Sequence, residues 1–71
     1  MQTNETPISA GQTYQAGERR GAPWWRIVSV TDTHAHAVRT RRDGSGTWVW
    51  DEDSGRDFAL TIISEHWMLI G

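Results

Sequence analysis

Residues 24–31 read Trp24-Trp25-Arg26-Ile27-Val28-Ser29-Val30-Thr31, an almost unbroken run of aromatic and β-branched side chains. Such residues fit a pleated, half-buried surface, so the segment reads as a strand. Its apolar pattern changes phase midway. Trp25 and Ile27 fall on one face, whereas Val28 and Val30 fall on the other. A flat strand cannot bury both pairs on one side, and a chain this short has little mass to cover a second face. The expectation is a bulge or sharp bend near Ile27-Val28, the device by which a small sheet curls around its core.

Working outward, Asp32-Thr33 reads as a turn and Ala35–Arg41 as the next strand, with Val38 as its core residue. Asp43-Gly44-Ser45-Gly46 is a second turn, with glycines for positive φ. Thr47–Asp51 alternates cleanly and places Trp48 and Trp50 on one face and Val49 on the other. Glu52-Asp53-Ser54-Gly55 reads as another reversal, and Arg56–Leu60 as a strand with Phe58 and Leu60 inward. Ile62 and Ile63 fill the core from a turn or a short 3₁₀ stretch, and Trp67–Ile70 closes the sheet. Upstream, Gly11 opens a short segment around Tyr14, followed by the glycine- and charge-rich loop 17–23. Residues 1–9 are polar and read as a flexible tail, leaving 10–71 as one all-β domain of five or six strands.

The 71 residues contain no cysteine, so neither disulfide staples nor thiolate chemistry enter. A domain of this size buries only about 60% of its unfolded surface and is marginally stable. The first residues carry neither a basic nor an apolar leader region, and the apolar runs are too short to span a bilayer. A cytoplasmic location without membrane contact is the expectation.

Five tryptophans are more than so small a core encloses. Indoles left outside imply a partner to cover them. Trp24, Trp48 and Trp50, with the carboxylates Asp51, Glu52 and Asp53 beside the last two, form a candidate protein-binding surface. It suits a basic, proline-containing or arginine-rich segment, or a second copy of the chain in a homodimer. The competing reading folds Trp48 and Trp50 into the core and leaves Val49 outside.

Charge divides along the chain. The chain has no lysine; Arg19, Arg20, Arg26, Arg39, Arg41 and Arg42 crowd residues 18–42, whereas the acids concentrate after residue 43. Arg19, Arg20, Arg39, Arg41 and Arg42, gathered at one end beside Trp24, would contact phosphate while the indole stacks on bases, which makes nucleic acid the alternative partner. The plainer reading is a solvated charged face.

Asp32-x-His34-x-His36 has metal-competent side chains at alternate positions, with Glu65 or His66 as a fourth ligand. Asp32 falls in a turn, however, which breaks the shared face, so neither a metal nor a cofactor is expected. No GxSxG, HExxH, phosphate-binding or dinucleotide motif occurs, and the chain reads as a non-enzyme.

Taken together, Ile8-Ser9-Ala10-Gly11-Gln12-Thr13-Tyr14, the run WRIVSVTDTHAHAV over 25–38, Phe58-x-Leu60-x-x-Ile63 and Trp67-x-Leu69 resemble the small SH3-like β-barrel proteins of actinobacteria and their phages. The resemblance covers about residues 8–42 and 55–70. It implies a compact SH3-like barrel without catalytic residues, acting as an accessory protein on a protein partner. Residues 43–54 depart from the pattern and look like an insertion, giving an extended hairpin near 46–56.

Overall fold

The structure, a computed structural model, describes residues 7–71. Five strands form one antiparallel sheet: β1 (Thr13–Gln15), β2 (Trp24–Val30), β3 (His34–Arg42), β4 (Trp48–Ala59) and β5 (Met68–Leu69). A single helix, α1 (Leu60–His66), lies between β4 and β5. The order across the sheet is β4-β3-β2-β1-β5, so β4 and β5 are its two edges and the sheet stays unclosed. Most of the tail expected over 1–9 lies outside the described residues. Of its described part, Ile8 packs against the core, and Gln12 ties to both sides of it: Ser9 N–H donates to Gln12 Oε1 and Gln12 Nε2 donates to the Pro7 carbonyl.

The phase change in β2 is resolved by a bulge at Val28. Ile27 opposes Ala37, Ser29 opposes His36 and Val30 opposes Ala35, so one extra residue of β2 is absorbed between Ile27 and Ser29. The bulge carries Val30 to the face that Trp25 and Ile27 share.

The core lies on that face. Tyr14, Trp25, Ile27, Ala35, Ala37 and Ile63 are buried, and Phe58, Leu60 and Trp67 pack against them. Aromatic rings make up much of its bulk: Phe58 meets Trp25 edge-on at 4.8 Å between centroids and Trp67 edge-on at 4.7 Å, while Trp25 and Trp67 stack at 6.1 Å. Such pairs add roughly 0.5–1.5 kcal/mol each beyond the area they bury.

Two expectations are corrected. Glu52-Asp53-Ser54-Gly55 does not reverse the chain: β4 continues through it. Between the pairs Ala37–Arg56 and Arg39–Asp51, β3 has one residue, Val38, whereas β4 has four, so the turn signal marks a wide bulge. Ser54 splices that gap, because its Oγ accepts from the Arg39 N–H and donates to the Asp51 carbonyl. Secondly, Ile62 and Ile63 lie on an α-helix, and only Ile63 is buried. Leu60, Ile63 and Trp67 recur at helical spacing, and docking of that stripe holds a helix too short to persist alone. Val38 is buried, as expected for the core residue of its strand, on the side of β3 that faces Arg26.

Candidate binding surface

The tryptophans divide between the two faces of the sheet. Trp25 (6% exposed) and Trp67 belong to the core, whereas Trp24 (48%) and Trp48 (60%) are exposed and Trp50 is half-buried outside it. The division follows from register. Trp25 and Ala37 look toward the core, so the alternate β3 positions Thr40 and Arg42 look away, and their partners Trp50 and Trp48 look away with them. Gln15, opposite Trp24, lies on the same outer face and accepts a hydrogen bond from Trp24 Nε1.

The β3–β4 hairpin is built to carry this face outward. Its turn, Asp43–Thr47, is closed by two backbone bonds, from Asp43 N–H to the Thr47 carbonyl and from Gly46 N–H to the Asp43 carbonyl. Gly46 sits at φ 84°, a left-handed conformation for which glycine has no steric penalty. Asp43 Oδ1 accepts from the Ser45 hydroxyl at 2.7 Å, the Ser45 N–H at 2.8 Å and the Thr47 N–H at 3.0 Å. These bonds, the Ser45 hydroxyl first among them, hold the Asp43 carboxyl below the ordinary aspartate range.

Between this hairpin and the 17–23 loop runs an open groove of about 690 Å³. Trp24, Trp48 and Trp50 line it together with Pro23, Thr40 and Arg39. Guanidinium groups stack on two of the indoles: Arg42 lies 4.7 Å from the centroid of Trp48, and Arg26 lies 4.8 Å from that of Trp50. The Arg26 role is not legible from spacing, because it depends on how β2 sits against a bulged β4. Arg42 opposite Trp48 is legible once the Asp43–Gly46 turn is recognised, since the two flank it symmetrically.

The acidic residues are placed differently from expectation. Asp51, Glu52 and Asp53 do not form the hairpin tip: Asp51 opposes Arg39 in the ladder, and Glu52 and Asp53 lie in the bulge inside β4. Asp51 pairs with Arg41 at 3.6 Å, Glu52 reaches Arg26 at 3.8 Å, and Asp53 is exposed. Arg19 and Arg20 are exposed in the loop whose later residues line the groove, so they stand at the same end as Arg39, Arg41 and Arg42. Arg39 also approaches the core ring of Trp25, at 5.9 Å from its centroid.

His34 and His36 share the outer face farther along β3, where His36 Nδ1 meets Asp57 Oδ1 at 2.8 Å and His34 Nδ1 meets Thr33 Oγ1 at 2.8 Å. Asp32 lies apart, in the turn between β2 and β3. Among the described residues, no group of three or more His, Asp or Glu side chains is arranged to hold a metal ion. Ser29, His36 and Asp57 form a cross-strand row, with His36 Nε2 lying over Gly55. Among the described residues, no helix is long and apolar enough to cross a membrane.

No protein family, characterised protein or solved structure matches the chain.

Proposed function

We propose that this chain is a non-enzymatic module that binds a protein partner through the groove bounded by Trp24, Trp48 and Trp50. The observation that carries the reading is the division of the tryptophans: two complete the core, and three line one concave strip on the opposite face. Exposed indoles in a groove gain more from a partner than from water, and aromatic anchors of this kind concentrate binding energy. The phage or actinobacterial setting, as an accessory protein in the cytoplasm, is proposed on the sequence resemblance alone.

Selecting a displayed peptide library on the wild-type domain and on a Trp48→Ala, Trp50→Ala double variant tests the reading. Recovered peptides should bind the wild type and lose binding to the variant, while the near-ultraviolet circular dichroism of Trp25 and Trp67 persists. Peptides that bind both equally would refute it.

Nucleic-acid binding is the second reading, favoured by the arginines gathered at the groove end. It predicts that Arg41→Ala with Arg42→Ala abolishes binding of a single-stranded oligonucleotide and that the tryptophan double variant retains it. Self-association would use the free β4 edge beside the same indoles, and light scattering across a concentration series reads it directly.

A further inference from the structure

We infer that the segment taken by this groove is acidic, with carboxylates flanking an apolar side chain; the inference rests on the protein-binding reading above. The charge around the groove is the reverse of what the neighbouring sequence Trp50-Asp51-Glu52-Asp53 implies. No carboxylate lines it, and Arg42, stacked on the lining ring of Trp48, stands at its edge. Three of the nearby acids are already engaged: Asp51 holds Arg41, Glu52 holds Arg26, and the Asp43 carboxylate is committed to its own turn. Among the described residues, Arg39, Arg42, Arg19 and Arg20 have no carboxylate partner.

Arg42 is also pre-positioned. Stacking on Trp48 and a bond from its Nη1 to the Gly46 carbonyl at 3.2 Å fix the guanidinium plane beside the groove, and its remaining donors stay free. A planar fork held this way grips a carboxylate with less loss of side-chain freedom than a loose lysine would. An apolar residue between the tryptophans and a carboxylate toward Arg42 satisfies both halves of the surface.

A peptide fits these features better than a nucleic acid does. The arginines here are interleaved with Glu18, Asp43, Asp51 and Glu52, and the chain carries a net charge of −2. A continuous polyanion would lie across those acids. The guanidinium groups also occupy one face each of Trp48 and Trp50, faces that stacked bases would need.

The charge composition of peptides selected on the wild-type domain tests the inference. Asp and Glu should be enriched beside an apolar position. Arg42→Gln should weaken the best peptide by about twofold to fivefold, the loss of one exposed charge contact. Arg42→Glu should turn the selected composition basic. Selected peptides that depend on Trp48 and Trp50 but are neutral or basic would overturn the inference and leave the protein-binding reading standing. Failure to recover any such peptide would overturn both. Tighter binding of single-stranded oligothymidine than of the best peptide, at near-physiological salt, would overturn the acidic-peptide inference in favour of nucleic acid.

Discussion

Arg42 lies across the β3–β4 hairpin from Trp48 and covers one face of its indole at 4.7 Å. The contact protects an exposed ring and stiffens the projecting end of the hairpin. Arg42→Ala should leave Trp48 emission red-shifted and more readily quenched by acrylamide, with stability lowered by about 0.5–1 kcal/mol. Arg42→Lys keeps the charge without the planar stack and should fall between. Unchanged quenching in Arg42→Ala would mean that the stack does not persist in solution.

Trp25→Ala should behave quite differently from Trp48→Ala, although both remove an indole from a strand. Trp25 contacts Phe58 and Trp67 in the core, and truncating such a ring costs about 3–5 kcal/mol. A domain of this size has little more than that to lose, so Trp25→Ala should be largely unfolded at room temperature. Trp48→Ala should stay folded, with stability within about 1 kcal/mol of wild type. Thermal melts of the two variants check this directly.

That contrast marks how far the sequence could be read. Strand positions, the bend in β2 and the shared face of Trp48 and Trp50 follow from alternation and turn chemistry, which are local; that this face looks outward is set by pairing with β3. The phase change at Ile27-Val28 shows as a bulge because only one register buries Trp25 and Ile27 together with Ala35. The 52–55 segment misled because glycine, serine and acids signal a departure from the ladder without saying whether the chain reverses. Here β3 continues past Val38, and β4 loops out and rejoins it. The helix was hidden for the opposite reason. Thr61, Ile62 and Ile63 favour strands, and α1 exists because Ile63 docks on a core assembled from distant segments. The groove depends on the 17–23 loop meeting the hairpin, which no local pattern encodes.

Ser54 bridges the bulge, and its removal should be felt at one identifiable amide. Its hydroxyl is the acceptor for the Arg39 N–H at 2.9 Å. Ser54→Ala leaves that donor without a protein partner and should cost about 1 kcal/mol. Hydrogen exchange should accelerate at Arg39 and stay unchanged at Ala35 and Ala37. Uniform acceleration across β3 would show instead that the bulge governs the whole strand pair.

Gly55 is required by its neighbour rather than by its backbone angle. A Cβ built there would lie 2.5 Å from His36 Nε2, so Gly55→Ala must displace the imidazole and with it the His36–Asp57 contact. Because a side-chain ring yields more easily than backbone, the penalty should be modest, about 0.5–1 kcal/mol. It should vanish when His36 is already alanine, which a double-mutant cycle measures. A penalty that persists in His36→Ala would place the conflict in the β4 backbone.

Acid should loosen the hairpin turn through Asp43. Its folded-state carboxyl titrates below the ordinary range because the carboxylate accepts the Ser45 hydroxyl and the Ser45 and Thr47 amides. A depressed value means that the ionised form is favoured in the folded state. Its contribution is therefore complete above the unfolded aspartate value of about 3.9 and disappears as pH falls through the lower folded value. A carboxyl-carbon titration by NMR should give Asp43 a midpoint below that of the same residue in a short unstructured Asp-Gly-Ser-Gly peptide, and the Ser45 and Thr47 amide shifts should follow that midpoint. Asp43→Asn retains an acceptor oxygen without the charge, so these amides should lose their acid transition and the turn should be weaker at neutral pH. A wild-type midpoint equal to the peptide's would show that the turn's hydrogen bonds do not favour the carboxylate.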